Sequence, residues 1–454
     1  MELPVPFISR VRLTNYKSIA ACDVLLEPLT VLVGPNGAGK SNFLDALRFV
    51  ADAVASDPDR AIALRGGLGE ILHRSASRAD SFSIDLEVTV PWGRSPAHWA
   101  RGRYGFEIAG ADRPGLRPFL VRGEHCELGW RDSTDGFTVS AGRVEDRGSP
   151  VPRTDIDPER LYLPLAGARP NLTPLYEALR GMYFYDPDPG KLRELRPQTA
   201  GAALGRAGEN LGDVLGALDS ATKTRFDEYM RAVVPEPHSV ERRFEGTYVT
   251  VELRTRPGEG LEPPSPFGPN AMSDGTIRAA GMLAALFQPS ARDGRIRLIG
   301  IEEPELAVHP AAAGALFDAL AETSEHVQIV STTQSPDLLD RDDLDVQAVR
   351  VANVSRGTTI IGEIDGPSRQ IVGKRLATVG QLLRGNQLTP EGCKNSWSRP
   401  AAHARTRTSG WSWPIGSSRP GTSRPPSPWQ ESAACLRTSH GLRIPRASAT
   451  PRVS

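Results

Sequence analysis

Residues 34–41 read Gly34-Pro35-Asn36-Gly37-Ala38-Gly39-Lys40-Ser41, three glycines followed by a lysine and a hydroxyl. The spacing G-x-x-x-x-G-K-[ST] suits the wrapping of backbone around a phosphate chain. Glycines let the main chain curl so that successive N–H groups face an anion. A helix beginning near Lys40 would add the positive end of its dipole. Lys40 would bring a mobile cation to the β- and γ-phosphates, and the Ser41 hydroxyl would ligate Mg²⁺. The expected ligands are therefore ATP and Mg²⁺. Far downstream, the apolar run Leu298–Ile301 ends in Glu302 and Glu303. Two acids after a strand are commonly just a solvated end. Beside a phosphate loop they divide the labour: Glu302 holds Mg²⁺, and Glu303 orients or deprotonates the attacking water.

These groups need elements to hold them. Leu29–Val33 is a continuous apolar strand leading into the glycines, and Ser41–Ala55 has helical spacing in Phe43, Leu44, Leu47, Val50 and Val54. Short strands are expected at Val5–Leu13 and Val24–Leu26. The alternation over Phe82–Val90, continued at Tyr104–Ile108 and Phe119–Leu128, predicts an antiparallel β-layer. Residues 129–158 are polar with scattered Gly and Pro and read as loop or insertion. Helices are expected at Leu172–Gly181 and Asn210–Val233, and a strand at Tyr248–Leu253. A Pro/Gly-dense linker follows. Beyond it, helix (Gly275–Phe287), strand (Ile296–Ile301), helix (Pro310–Ala321) and strand (Val327–Ser331) alternate, which predicts a parallel sheet covered by helices. Lys40 and Glu302 are 262 residues apart. That gap sets the chain apart from ring-forming AAA+ motors and implies a large insertion between two halves of one core.

The organisation expected is an α/β, P-loop NTPase core, a mostly parallel sheet flanked by helices, with an antiparallel β-layer and a helical insertion. Its parts are 1–128 (first half of the core), 129–255 (insertion), 256–269 (linker), 270–390 (second half) and 391–454 (basic tail). At 454 residues there is room for two or three compact units. The formal charge is zero, but residues 393–454 hold nine Arg and one Lys against Glu431, so the tail carries +9 and the rest −9. An acidic body does not bind nucleic acid by bulk charge; a local patch would be required. The tail, rich in Ser, Arg and Pro with four scattered tryptophans, reads either as a disordered extension or as the product of a frameshift. Four dispersed cysteines without a C-x-x-C pair read as free thiols in a reducing compartment. The longest apolar run, around Met282–Phe287, is too short to span a bilayer, and the N-terminus lacks a signal-peptide pattern. A cytoplasmic protein without a membrane partner is expected.

The run from Ile8 to Ala46, with Leu13-Thr14-Asn15-Tyr16-Lys17-Ser18 and then LTVLVGPNGAGKSNFLDAL, resembles the first half of ABC-type ATPase heads of the RecF, SMC and OLD-like groups. Met272-Ser273-Asp274-Gly275-Thr276 resembles their signature motif. Glu302-Glu303-Pro304-Glu305, continuing to His309-Pro310, is similar to their second acidic motif, and Ser331–Leu339 to their switch segment. The likeness covers residues 1–55 and 265–390. It implies a homodimer in which two heads sandwich two ATP molecules, Ser273, Asp274 and Gly275 of one copy meeting the phosphate loop of the other. Taken alone those residues fit an ordinary helix N-cap; in this order along the chain the signature role is preferred. At the switch position relatives often carry His, where this chain has Gln334; an amide bridges γ-phosphate and water but cannot become cationic. Lys17 matches a basic residue that approaches the phosphates in some relatives and is equally compatible with a surface lysine. His309 fits a dimer contact or a helix cap better than a catalytic base.

The resemblance implies DNA as a partner, in DNA maintenance or phage defence, and a separate nuclease or effector chain. Two other classes compete. A nucleotide-sensing scaffold with negligible hydrolysis is favoured by Gln334. A transporter's nucleotide-binding subunit is opposed by the Glu-Glu-Pro-Glu run and the Asn15–Ser18 entry.

Overall fold

A pentapeptide of four aliphatic residues and Thr30 suits burial on both faces, and Leu29–Val33 is so placed: every residue of this strand is buried and lies inside a parallel sheet. The structure, a computed structural model, describes residues 6–74, 79–92, 95–111, 118–146, 155–199, 201, 203–234, 237–255, 266–306 and 309–391. The expected tail and most of the expected linker lie outside them. In chain order the first part contains β1 (Ile8–Tyr16), β2 (Ile19–Leu25), β3 (Leu29–Val33), α1 (Lys40–Ala55), β4 (Ser81–Trp92), β5 (Ser95–Gly110), β6 (Phe119–Trp130), β7 (Ser133–Ser140) and β8 (Arg143–Asp146). The middle supplies α2 (Thr173–Arg180), β9 (Met182–Tyr185), β10 (Arg196–Pro197), α3 (Ser220–Val233), β11 (Pro237–Glu245) and β12 (Tyr248–Thr255). The last part adds α4 (Asp274–Phe287), β13 (Leu298–Glu302), α5 (Ala313–Ser324), β14 (Gln328–Thr333), β15 (Val349–Ser355) and β16 (Thr358–Glu363).

The central sheet runs β16-β15-β3-β14-β13-β9, parallel throughout except for β16. This is the mixed α/β, mostly parallel P-loop core. A second sheet, β2-β1-β4-β5-β6-β7-β8, is antiparallel, and a third is the small sheet β10-β12-β11. Alternate residues of the central strands feed two cores. Leu32, Val330 and Leu298 pack with α1 and the antiparallel sheet. Val31, Ile329 and Ile301 pack with α3, α4 and α5. The helices α1 and α4 therefore cover opposite faces.

Register decides the site. Leu32 lies opposite Thr332, and Thr332 opposite Glu302. One and two residues later, three chains leave the sheet at one level as Gly34, Glu303 and Gln334. Ligands in parallel α/β sheets bind beyond the carboxyl ends of the strands.

Several expected elements shift. Residues 133–146 are not loop: β7 and β8 extend the antiparallel sheet, and their buried apolar side chains are Phe137, Val139 and Val144, beside buried Asp135 and Gly136. Such a sparse pattern carries little periodic signal. The expected 210–233 helix is two, Leu211–Gly216 and Ser220–Val233; Asp219 caps the second, its side chain accepting from Thr222 N. The middle of the chain also places β9 at the edge of the central sheet, paired with β13. Buried Gln288 fastens that edge, donating to Tyr185 Oη (2.7 Å) and accepting from Leu204 N (2.9 Å). Gln328 joins the two large sheets: its side chain accepts from Ile8 N (2.8 Å) and donates to Ile8 O (2.7 Å).

Asp45, one turn into α1, is a polar hub. It accepts from Tyr16 Oη at 2.8 Å, pairs with Lys17 Nζ at 2.6 Å and with the buried Arg65 guanidinium at 3.0 Å. Burial pushes its carboxyl up, but Arg65 and Lys17 outweigh that and hold it below the ordinary carboxylate range. Because the folded form titrates lower than the unfolded chain, this stabilisation is present above about pH 4 and lost as pH falls through the folded value. Asp45→Asn is expected to lower unfolding free energy by about 2 kcal/mol at neutral pH, with the gap to wild type narrowing below about pH 4. Urea titrations of both proteins at the two pH values check this; a gap independent of pH would contradict it.

Candidate active site

The turn after β3 is made by glycines in conformations other residues avoid. Gly34 has φ 152° and Gly39 φ 90°. A Cβ at Gly34 would lie 2.1 Å from the Ala352 carbonyl oxygen, and one at Gly39 2.2 Å from Thr359 Oγ1. Shape and backbone both demand glycine there. Behind the loop, Ser18, Asn42 and Thr359 form a small network: Asn42 Nδ2 donates to Ser18 Oγ (2.7 Å), which lies 2.7 Å from Thr359 Oγ1. Gly39 caps α1 without any side-chain hydrogen bond. The first N–H groups of this helix thus have no side-chain cap, a condition that an anion site requires.

Lys40 is 5% exposed; its ammonium donates to Gly34 O (2.7 Å) and Pro35 O (3.1 Å). Burial pushes its pKa down, and the carboxylates of Glu303 and Glu305 pull it back up. The acidic strand end thus faces the phosphate loop electrically as well as by register. Glu303 adopts φ 43°, a left-handed conformation costing about 1–2 kcal/mol for a non-glycine. The turn redirects its side chain after the strand: its N–H donates to Thr332 O (2.9 Å), and its carboxylate accepts from Gln334 Nε2 at 3.1 Å. Lys40, Glu303 and Gln334 are brought together.

Glu302 points to the α1 side, lining a crevice with Leu44, Asp45 and Arg48. Ser41 is exposed one turn before Asp45. A hydroxyl and a carboxylate are hard oxygen donors, the type Mg²⁺ takes, so the donor set fits that ion. Lys17 is held by Asp45, on the flank of α1.

Ser273, Asp274 and Gly275 are not brought to this cluster. Ser273 caps α4, accepting from Thr276 N at 3.1 Å, and both Ser273 and Asp274 are exposed. Arg193 clamps the segment, donating to Pro269 O (3.2 Å), Met272 O (2.9 Å) and Asp274 Oδ1 (2.6 Å). His309 caps the short turn after it, Nδ1 accepting from Ala311 N at 3.2 Å. Sequence reasoning missed two groups: Arg193, which has no spacing signal, and Glu305, present in the acidic motif but given no role. A cleft of about 1130 Å³ lined by Arg180, Arg295 and Arg297 contains none of the residues above.

The chain matches the family described as "AAA domain, putative AbiEii toxin, Type IV TA system" over residues 29–91 and 134–340. It is 22% identical to the Old nuclease of Escherichia phage P2 over 373 residues, 77% of this chain and 60% of that protein. It is 38% identical to structural maintenance of chromosomes protein 4 of Schizosaccharomyces pombe over 85 residues, 18% of this chain and 6% of the other. With the DNA replication and repair protein RecF of Arthrobacter sp. (strain FB24) it shares 35% over 94 residues, 20% and 23% of the two chains. The chain thus spans from 6% to 60% of the length of these three relatives. Among solved structures, the Smc head domain bound to the C-terminal domain of ScpA, derived from Pyrococcus furiosus, aligns over 82% of this chain and all of that one, with 14% identity and a TM-score of 0.47. The glycine loop, the acidic strand end and the family match, which covers more than half of the sequence, lead to one conclusion: the chain belongs to this AAA-domain family, a RecF/SMC/OLD-like group of ABC-type ATPases.

Proposed function

We propose that this protein binds ATP on residues 34–41 and hydrolyses it, and that two copies close around the nucleotide. The observation that supports hydrolysis most is the hydrogen bond from Gln334 to Glu303, at the level where the glycine loop leaves the sheet. In this reading the free N–H groups of the loop and the start of α1 bind the phosphates, and Lys40 leaves the Gly34 and Pro35 carbonyls to neutralise them. Glu303 accepts a proton from the attacking water, and Gln334 fixes the orientation of that carboxylate. Mg²⁺, when held by Ser41 and Glu302, would neutralise charge on the phosphate oxygens.

Ser273 and Asp274 are exposed on an Arg193-clamped segment that makes no hydrogen bond to residues 34–41 among the described residues, which supports its use by a second copy. DNA as a partner, and a separate nuclease or effector chain, rest on what the relatives are named for, the Old nuclease and RecF. A reducing, cytoplasmic setting suits the free thiols Cys22 and Cys126. Among the described residues no helix is long and apolar enough to cross a membrane. A second reading, a nucleotide sensor with negligible turnover, is favoured by Gln334, whose amide cannot become a cation.

Multiple-turnover ATPase assays decide between the two. Lys40→Ala is expected to abolish ATP binding. Glu303→Gln is expected to bind ATP, slow turnover by about 100-fold or more, and accumulate dimer. Equal rates for wild type and Glu303→Gln would remove the hydrolytic assignment. In light scattering, Ser273→Arg should keep ATP binding by the monomer and lose the ATP-dependent dimer; persistent dimers would exclude the sandwich.

A further inference from the structure

The acidic turn grips the switch segment at two points. One is the Gln334–Glu303 hydrogen bond. The other is made by Glu305, whose Oε1 accepts from the Thr333 hydroxyl. Ser335 N–H donates to the same Thr333 Oγ1 at 2.9 Å, so the hydroxyl links Glu305 to the main chain beyond Gln334. The left-handed turn at Glu303, closed by the bond from Leu306 N to Glu303 O (3.0 Å), lets the acids reach different sides of the segment. Among the described residues, Glu305 Oε2 is buried without a hydrogen-bond partner. A buried carboxylate oxygen so placed carries a desolvation cost, and a group kept at that cost calls for an explanation.

We infer that Glu305 is a positioning residue of the ATPase site: by holding the Thr333 hydroxyl, which in turn accepts from Ser335 N–H, it fixes the main chain on both sides of Gln334 and thereby sets where that amide meets Glu303. The inference rests on the hydrolytic reading above. Glu305 needs no contact with the nucleotide for this role; it needs an acceptor at Oε1. Burial raises its carboxyl pKa, opposed by the Thr333 hydrogen bond, so an uncharged isostere suits the same pocket. A base and a positioning group therefore respond differently to amide substitution. Glu303→Gln removes the proton acceptor, whereas Glu305→Gln keeps the acceptor oxygen that Thr333 uses.

The test is steady-state ATPase kinetics on the full chain, with binding followed separately by a fluorescent ATP analogue. Glu305→Ala is expected to lower kcat by about 10- to 100-fold, the scale of a misplaced catalytic group, with analogue affinity within about threefold of wild type. Glu305→Gln should recover most of that loss. Thr333→Val cuts the same link from the other partner and guards against misfolding of Glu305→Ala; it should reproduce the kcat loss with binding retained. Wild-type kcat in Glu305→Ala or Thr333→Val would overturn the inference. So would a Glu305→Gln protein as slow as Glu305→Ala, because the charge itself would then be what matters. If wild type and Glu303→Gln are equally slow, the hydrolytic reading fails and this inference falls with it. An active wild type with an unimpaired Glu305→Ala removes this inference alone.

Discussion

The parallel register of β3, β14 and β13 is the constraint from which the site follows. Leu32, Thr332 and Glu302 sit side by side in three adjacent strands, so the chain emerges from each at the same height. Stretches separated by some 260 residues of sequence become neighbours without any long side chain bridging them. A slip of one residue in any strand would turn each of its side chains to the opposite face. The apolar residues that alternate between the two cores would go with them, and this ties the geometry of the candidate site to the packing of the whole sheet.

Charge placement follows from that height. Lys40 is buried under its own loop, where desolvation disfavours the ammonium, and the facing carboxylates of Glu303 and Glu305 sustain it. Gly34 and Gly39 could not be enlarged, since Ala352 and Thr359 already occupy the space behind them. The cation is therefore held among weak carbonyl partners and nearby acids, an arrangement that a triphosphate would replace with stronger charge-assisted bonds.

How much of this was legible in the sequence depended on how local the cause was. Leu29–Val33 and the loop after it were readable because burial on both faces and the glycine spacing are written in consecutive residues. Glu302, Glu303 and Gln334 were legible as types and positions; the left-handed turn that aims Glu303 was not, since no glycine or asparagine marks it. β7 and β8 escaped because their buried faces hold three apolar residues among Ser, Thr, Asp and Gly. β9 escaped for another reason: Met182–Tyr185 is too short to show a period, and only its partner β13 makes it a strand. Arg193 and Glu305 act through contacts with residues 81 and 28 positions away, which no spacing rule encodes.

The edge strand β9 makes the middle of the chain structural rather than ornamental. Residues 182–185 close the rim of the central sheet, and Gln288 and Tyr185 latch that rim to the helix layer. Excising the span between the two core halves would strip the outer hydrogen-bonding edge of β13, the strand that delivers Glu302 and Glu303. A bared edge invites pairing with other chains. A shortened version that keeps every residue of the glycine loop and the acid motif would therefore be prone to aggregate.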